Sequence, residues 1–121
     1  MGMSVYEMYE EAERALERIV RERSRSPYSI YTGDMEEALE EGSEAFRGLE
    51  ERPLGWYAVR RLYTGVHVEL HLLGKMASAL RIRMHEVNRI HISGVDYFHW
   101  RLDKAVDRAN TFLSGLRRQV F

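Results

Sequence analysis

Val59, Tyr63, Val66, Leu70, Leu73, Ala77, Leu80 and Met84 follow one another at alternating steps of four and three residues. An apolar position every 3.5 residues, held over that length, describes a helix whose seam must be covered by another helix. A strand would throw the same residues alternately onto opposite faces. Val68 and Leu72 add a second apolar patch, so this helix needs neighbours on two sides. Pro53 suits its first turn. Gly65 and Gly74 weaken it, and the expected reason for glycine there is close approach of a second helix.

Three more helices carry the same rhythm. Ser4 followed by Glu7 is a capping box, and Val5, Met8, Ala12, Ala15 and Ile19 then trace one face to about Arg23. Ser, Pro and Gly interrupt the period between residues 24 and 33. Asp34 with Glu37 opens a second helix along Met35, Leu39, Gly42, Phe46 and Leu49, which Pro53 ends near Glu51. After a break at residues 91–94, Val95, Phe98, Leu102, Ala105, Ala109, Phe112 and Leu116 form the fourth. The fold expected is all-α: one domain over residues 1–121, a four-helix bundle with coiled-coil-like packing of the long third and fourth helices.

Composition narrows the function classes. With 45% apolar and 31% charged residues, 121 residues make one folded domain and not a disordered chain. No apolar run is long enough for a membrane span. The first residues lack a signal-peptide pattern, and Tyr6 breaks the myristoylation motif, so a cytoplasmic location is expected. Absence of cysteine removes disulfides and thiolate chemistry. Lys occurs only at positions 75 and 104. Such a bias towards Arg suits phosphate binding, but high-GC genomes and hot habitats (a thermophilic source) produce it too. Residues 1–51 hold 6 Arg against 14 Asp and Glu, a net of −8, whereas residues 52–121 hold 12 Arg and Lys against 5, a net of +7. That split predicts acidic and basic faces meeting within one chain or between copies, hence a homo-oligomer.

His67, Glu69 and His71 sit within five positions, yet they do not share a face. At about 100° per residue from Val66, the histidines fall near 100° and 140° and Glu69 near 300°. With His99 and Asp103 of the fourth helix, His67 and His71 would make a nitrogen-rich zinc or iron site if the two helices were antiparallel neighbours. Arg60 and Lys75 beside the pair oppose a further cation. The plainer expectation is a solvated polar stripe with no cofactor.

Arg60 and Arg61 precede His67 in "RRLYTGVH". The Arg61-x5-His67 spacing resembles the Arg-x(4–6)-His pattern of HEPN-type helical proteins, many of which are ribonucleases acting as dimers. The resemblance implies His67 as general acid/base with Arg60 or Arg61 on phosphate charge. It covers one motif in one helix. Glu36, Glu37, Glu40, Glu41 and Glu44 resemble the Glu-Glu-x-x-Glu of MazG-like pyrophosphatases, but the matching Glu-x-x-Asp is missing, and an acidic docking face is expected instead.

Arg21, Arg23 and Arg25 lead into a loop with Tyr28 and Tyr31. Cations beside aromatic rings are what a single-strand contact requires, so these five residues are the candidate contact with RNA or DNA. The plainer alternative is a loop without a ligand, its arginines favouring the helix dipole and its tyrosines packing back onto the bundle. The combined expectation is a non-enzymatic assembly or interaction subunit that self-associates through acidic and basic faces and contacts nucleic acid. No small-molecule substrate is indicated, and the helical ribonuclease and the metal-binding bundle are the alternatives.

Overall fold

The computed structural model describes residues 2–25, 33–87 and 92–121, without the side chains of residues 57, 82–87, 92 and 93. Helices follow in the order α1 (Val5–Arg25), α2 (Gly33–Glu50), α3 (Tyr57–Thr64), α4 (Val66–Val87) and α5 (Ile92–Val120). The four long ones form an all-α bundle, and α3 is a short extra helix on its outside.

Neighbours run antiparallel around the bundle. Arg18 of α1 meets Glu37 and Glu41 of α2 at 3.7 and 2.5 Å, while Met8 lies under Gly48. Between α2 and α4, Glu36 pairs with Arg81 at 3.0 Å at one end, and Glu50 reaches Val66 at the other. Glu69 of α4 pairs with Arg101 and Arg108 of α5, and Leu80 faces Gly94. The circle closes where Arg23 meets Asp103 at 3.2 Å and Tyr6 and Tyr9 pack edge-on to Phe121.

The expected stripes supply most of the core. Every residue of the α5 series from Val95 to Leu116 is buried, as are Met35, Leu39, Phe46 and Leu49 of α2 and Ala12, Ala15 and Ile19 of α1. Ser4 caps α1, its Oγ accepting the Glu7 N–H at 3.1 Å. The second helix begins at Gly33, one residue ahead of the expected cap Asp34, which lies in its first turn. A Cβ on Gly42 would stand 2.7 Å from Ile19 Cδ1 and 3.2 Å from Leu70 Cδ1. Glycine at that position lets α1 and α4 both close on α2.

The third helix differs from its expectation. Gly65 takes φ 52° and ψ 30°, and its N–H returns to the Arg61 carbonyl, which ends α3 and restarts the chain as α4. Val66, Leu70, Leu73 and Ala77 continue the seam into the core. Val59 and Tyr63, which precede the break, do not: they are 60% and 84% exposed. Gly65 therefore serves a left-handed turn and not a close approach. Met84 and its role in the seam lie outside the described side chains.

Candidate functional site

Glu50 closes α2 and is buried there. A carboxylate is disfavoured at a helix carboxyl end, where the unpaired carbonyls carry negative partial charge. Here it belongs to the next helix. Oε1 accepts the N–H of Val66, the first residue of α4, at 3.0 Å. That N–H has no partner inside its own helix, so Glu50 acts as an N-cap supplied across the fold. Oε2 lies 2.5 Å from His67 Nδ1.

Arg61 completes the junction. Its side chain turns inward, and Nη1 donates to the Glu50 carbonyl and, at 3.5 Å, to the Arg52 carbonyl. The guanidinium thus satisfies the last carbonyl of α2 and one in the turn beyond it. Burial raises the pKa of Glu50, while the hydrogen bond and charge of His67, the Val66 N–H and the Arg61 charge pull it back. With the carboxylate ionised, His67 Nδ1–H donates to it and Nε2 is left as the basic nitrogen. The His67 side chain is about a quarter exposed, so it sits at the rim of the junction. A carboxylate-oriented histidine beside a cation is an arrangement able to move a proton.

The structure therefore brings Arg61 and His67 onto one group, Glu50, which sequence reasoning missed. Arg60 is separate: it is exposed and lies over the Trp56 ring at 5.2 Å.

The other candidate sets disperse. His71 faces the groove between α2 and α4, alongside Glu36, Glu40 and Lys75. Asp103 is paired with Arg23 on α1, and His99 is buried against Phe98. The geometry does not gather His67, His71, His99 and Asp103, and among the described residues no three His, Asp or Glu side chains cluster as metal ligands.

Of the arginines at the end of α1, Arg23 is held by Asp103, and Arg25 pairs with buried Glu22 at 3.2 Å. Arg21 is exposed. Tyr28 and Tyr31 lie outside the described residues. The acidic face of α2 is partly spent as well, since Arg18 and Arg81 engage Glu36, Glu37 and Glu41.

Large apolar side chains are open as well. The outer stripe of α3 presents Val59, Leu62 (76% exposed) and Tyr63 to solvent, and Val68 and Leu72 of α4 are also exposed. Trp56, Tyr97 and Trp100 add three large rings at the surface. Among the described residues no helix is long and apolar enough to cross a membrane. Comparison with protein-family models, with curated proteins and with solved structures finds no match to the chain.

Proposed function

We propose that the protein is a non-enzymatic assembly subunit that pairs with a second copy of itself through the outward stripe of α3. One observation carries this reading: an amphipathic helix turned inside out, its arginine at position 61 directed inward and Val59, Leu62 and Tyr63 directed to water. Burying an exposed side chain of this size is worth about 1.5–3 kcal/mol. Three of them supply at least about 4.5 kcal/mol, more than about a thousandfold in association. A short apolar helix face is also self-complementary under a two-fold axis. The ion pairs within the chain shift the expected route of self-association away from acidic and basic faces. Sedimentation equilibrium tests the reading. A dimer that Leu62→Glu dissociates supports it, and a wild type that stays monomeric at millimolar concentration ends it.

The helical ribonuclease remains a second reading, favoured by the Glu50–His67 contact beside Arg61. In that reading Glu50 positions His67 as the acid/base. Cleavage of a mixed RNA substrate by wild type, lost in His67→Ala, supports it; equal cleavage, or none, counts against it.

A further inference from the structure

Both tryptophans of the chain stand at the surface, 48% and 56% exposed, where rings of that size are ordinarily tucked away. Each carries a cation. Arg60 lies over Trp56 at 5.2 Å and Lys104 over Trp100 at 5.6 Å. Tyr97 stacks beside Trp100, with ring centroids 6.0 Å apart and planes 23° from parallel.

A groove of about 380 Å³ has Arg60 and Lys104, the cations of these two pairs, in its walls. α3 lines it with Arg60, Tyr63 and Thr64, and α5 with Lys104, Arg108 and Thr111. Asp107 is the carboxylate in its wall. Glu69, close by, is taken up by Arg101 and Arg108. From Tyr97 to Arg108 the α5 edge of this surface extends about 17 Å.

We propose that this surface binds single-stranded nucleic acid, with bases stacked on Trp100 and Tyr97 and phosphates held by Arg60 and Lys104. Aromatic faces accept any base, and cations spaced between them follow the backbone. A cation already over each tryptophan keeps the ring exposed, and moves to a phosphate when a base takes its place. The groove admits unpaired bases, whereas a duplex hides its base faces. An uncharged peptide would make no use of Arg60 and Lys104 around one groove. The inference places the nucleic-acid contact on α3 and α5, away from Arg21, Arg23 and Arg25, two of which are committed to ion pairs. It does not rest on self-association, because Val59 and Leu62 lie about 100° and 160° around α3 from Arg60, and Tyr97, Trp100 and Lys104 stand on α5.

The test uses the full chain and a twelve-nucleotide oligothymidylate at low and moderate salt, read by quenching of the two tryptophans and by anisotropy of labelled DNA. Quenching and a salt-dependent affinity are expected. Replacing Trp100 by Ala, or Arg60 and Lys104 together by Ala, should weaken binding about tenfold. Joint replacement of Arg21, Arg23 and Arg25 by Ala, or Leu62→Glu, should change it less than about threefold. All replaced groups are wholly or partly exposed, and circular dichroism checks that each variant folds. Absence of binding at low salt overturns the proposal. So does binding that survives both groove variants and falls with the α1 arginines, or binding as tight to blunt duplex as to single strand.

Discussion

Replacing Glu50 by Ala removes the cap of α4 and the partner of His67 in one step. Val66 is buried, so its N–H then has no acceptor and no route to water. A buried donor left unpaired costs about 1–3 kcal/mol, and loss of a cap about 1 kcal/mol. The two overlap, because they concern the same N–H. Relief of the carboxylate's own desolvation offsets part of the cost, so the net expected is about 2 kcal/mol. For a chain of this size that is a fall in Tm of about 8 °C. Glu50→Gln keeps an oxygen for Val66 and an amide for His67 and should lose less than about 1 kcal/mol. The two variants also separate in pH. Burial raises the pKa of Glu50, so the folded chain keeps this proton to higher pH than the unfolded chain does. Its contribution is full below the ordinary value of 4.5 and is lost as pH rises through the raised value. Wild type should therefore lose stability relative to Glu50→Gln as pH climbs above the ordinary value of 4.5. Urea unfolding followed by circular dichroism at several pH values measures both effects. A Glu50→Ala variant as stable as wild type, or a Gln variant with the wild-type pH slope, would refute the reasoning.

Three further substitutions probe the frame. Gly65→Ala forces a Cβ into the left-handed region at φ 52° and should cost about 1 kcal/mol in urea unfolding. Phe98→Ala empties a fully buried position on α5 and should cost about 3–5 kcal/mol, a large share of the stability of a small domain. Arg18→Ala breaks contacts to Glu41 and Glu37, but those carboxylates are more than half exposed, so the loss should stay below about 1 kcal/mol and shrink with added salt.

The helices of the bundle are legible in the chain because each must bury one face and its apolar residues keep helical time. The stripe from Val95 to Leu116 lies in the core residue by residue. Legibility fails at residues 57–65 for a specific reason. Val59 and Tyr63 stand in phase with Val66 and Leu70, and a periodic pattern cannot tell a continuous helix from two helices joined by one left-handed residue. Gly65 was the visible warning. Glu50 was hidden because its partners are Val66 and His67, sixteen and seventeen residues away, a pairing that only the fold creates. A signal for it did exist: Glu50 and Glu51 at the end of a helix oppose its dipole, which implies another task for at least one of them. The polar stripe of His71, His99 and Asp103 dispersed because helix-wheel angles set directions on one helix and not the rotation of its neighbour. The ion pair Arg81–Glu36 joins an acid of the amino-terminal half to a base of the carboxyl-terminal half, in the sense of the charge split, whereas Arg23–Asp103 joins the two halves in the opposite sense.

The central claim is that α3 turns its apolar stripe outward to meet a second copy. Sedimentation equilibrium of wild type and Leu62→Glu over a hundredfold range of concentration tests it most directly. The account predicts a reversible dimer for wild type and a folded monomer for the variant, with dimerisation weakened at least about tenfold. A wild type that remains monomeric throughout, or a dimer that Leu62→Glu leaves intact, would contradict it.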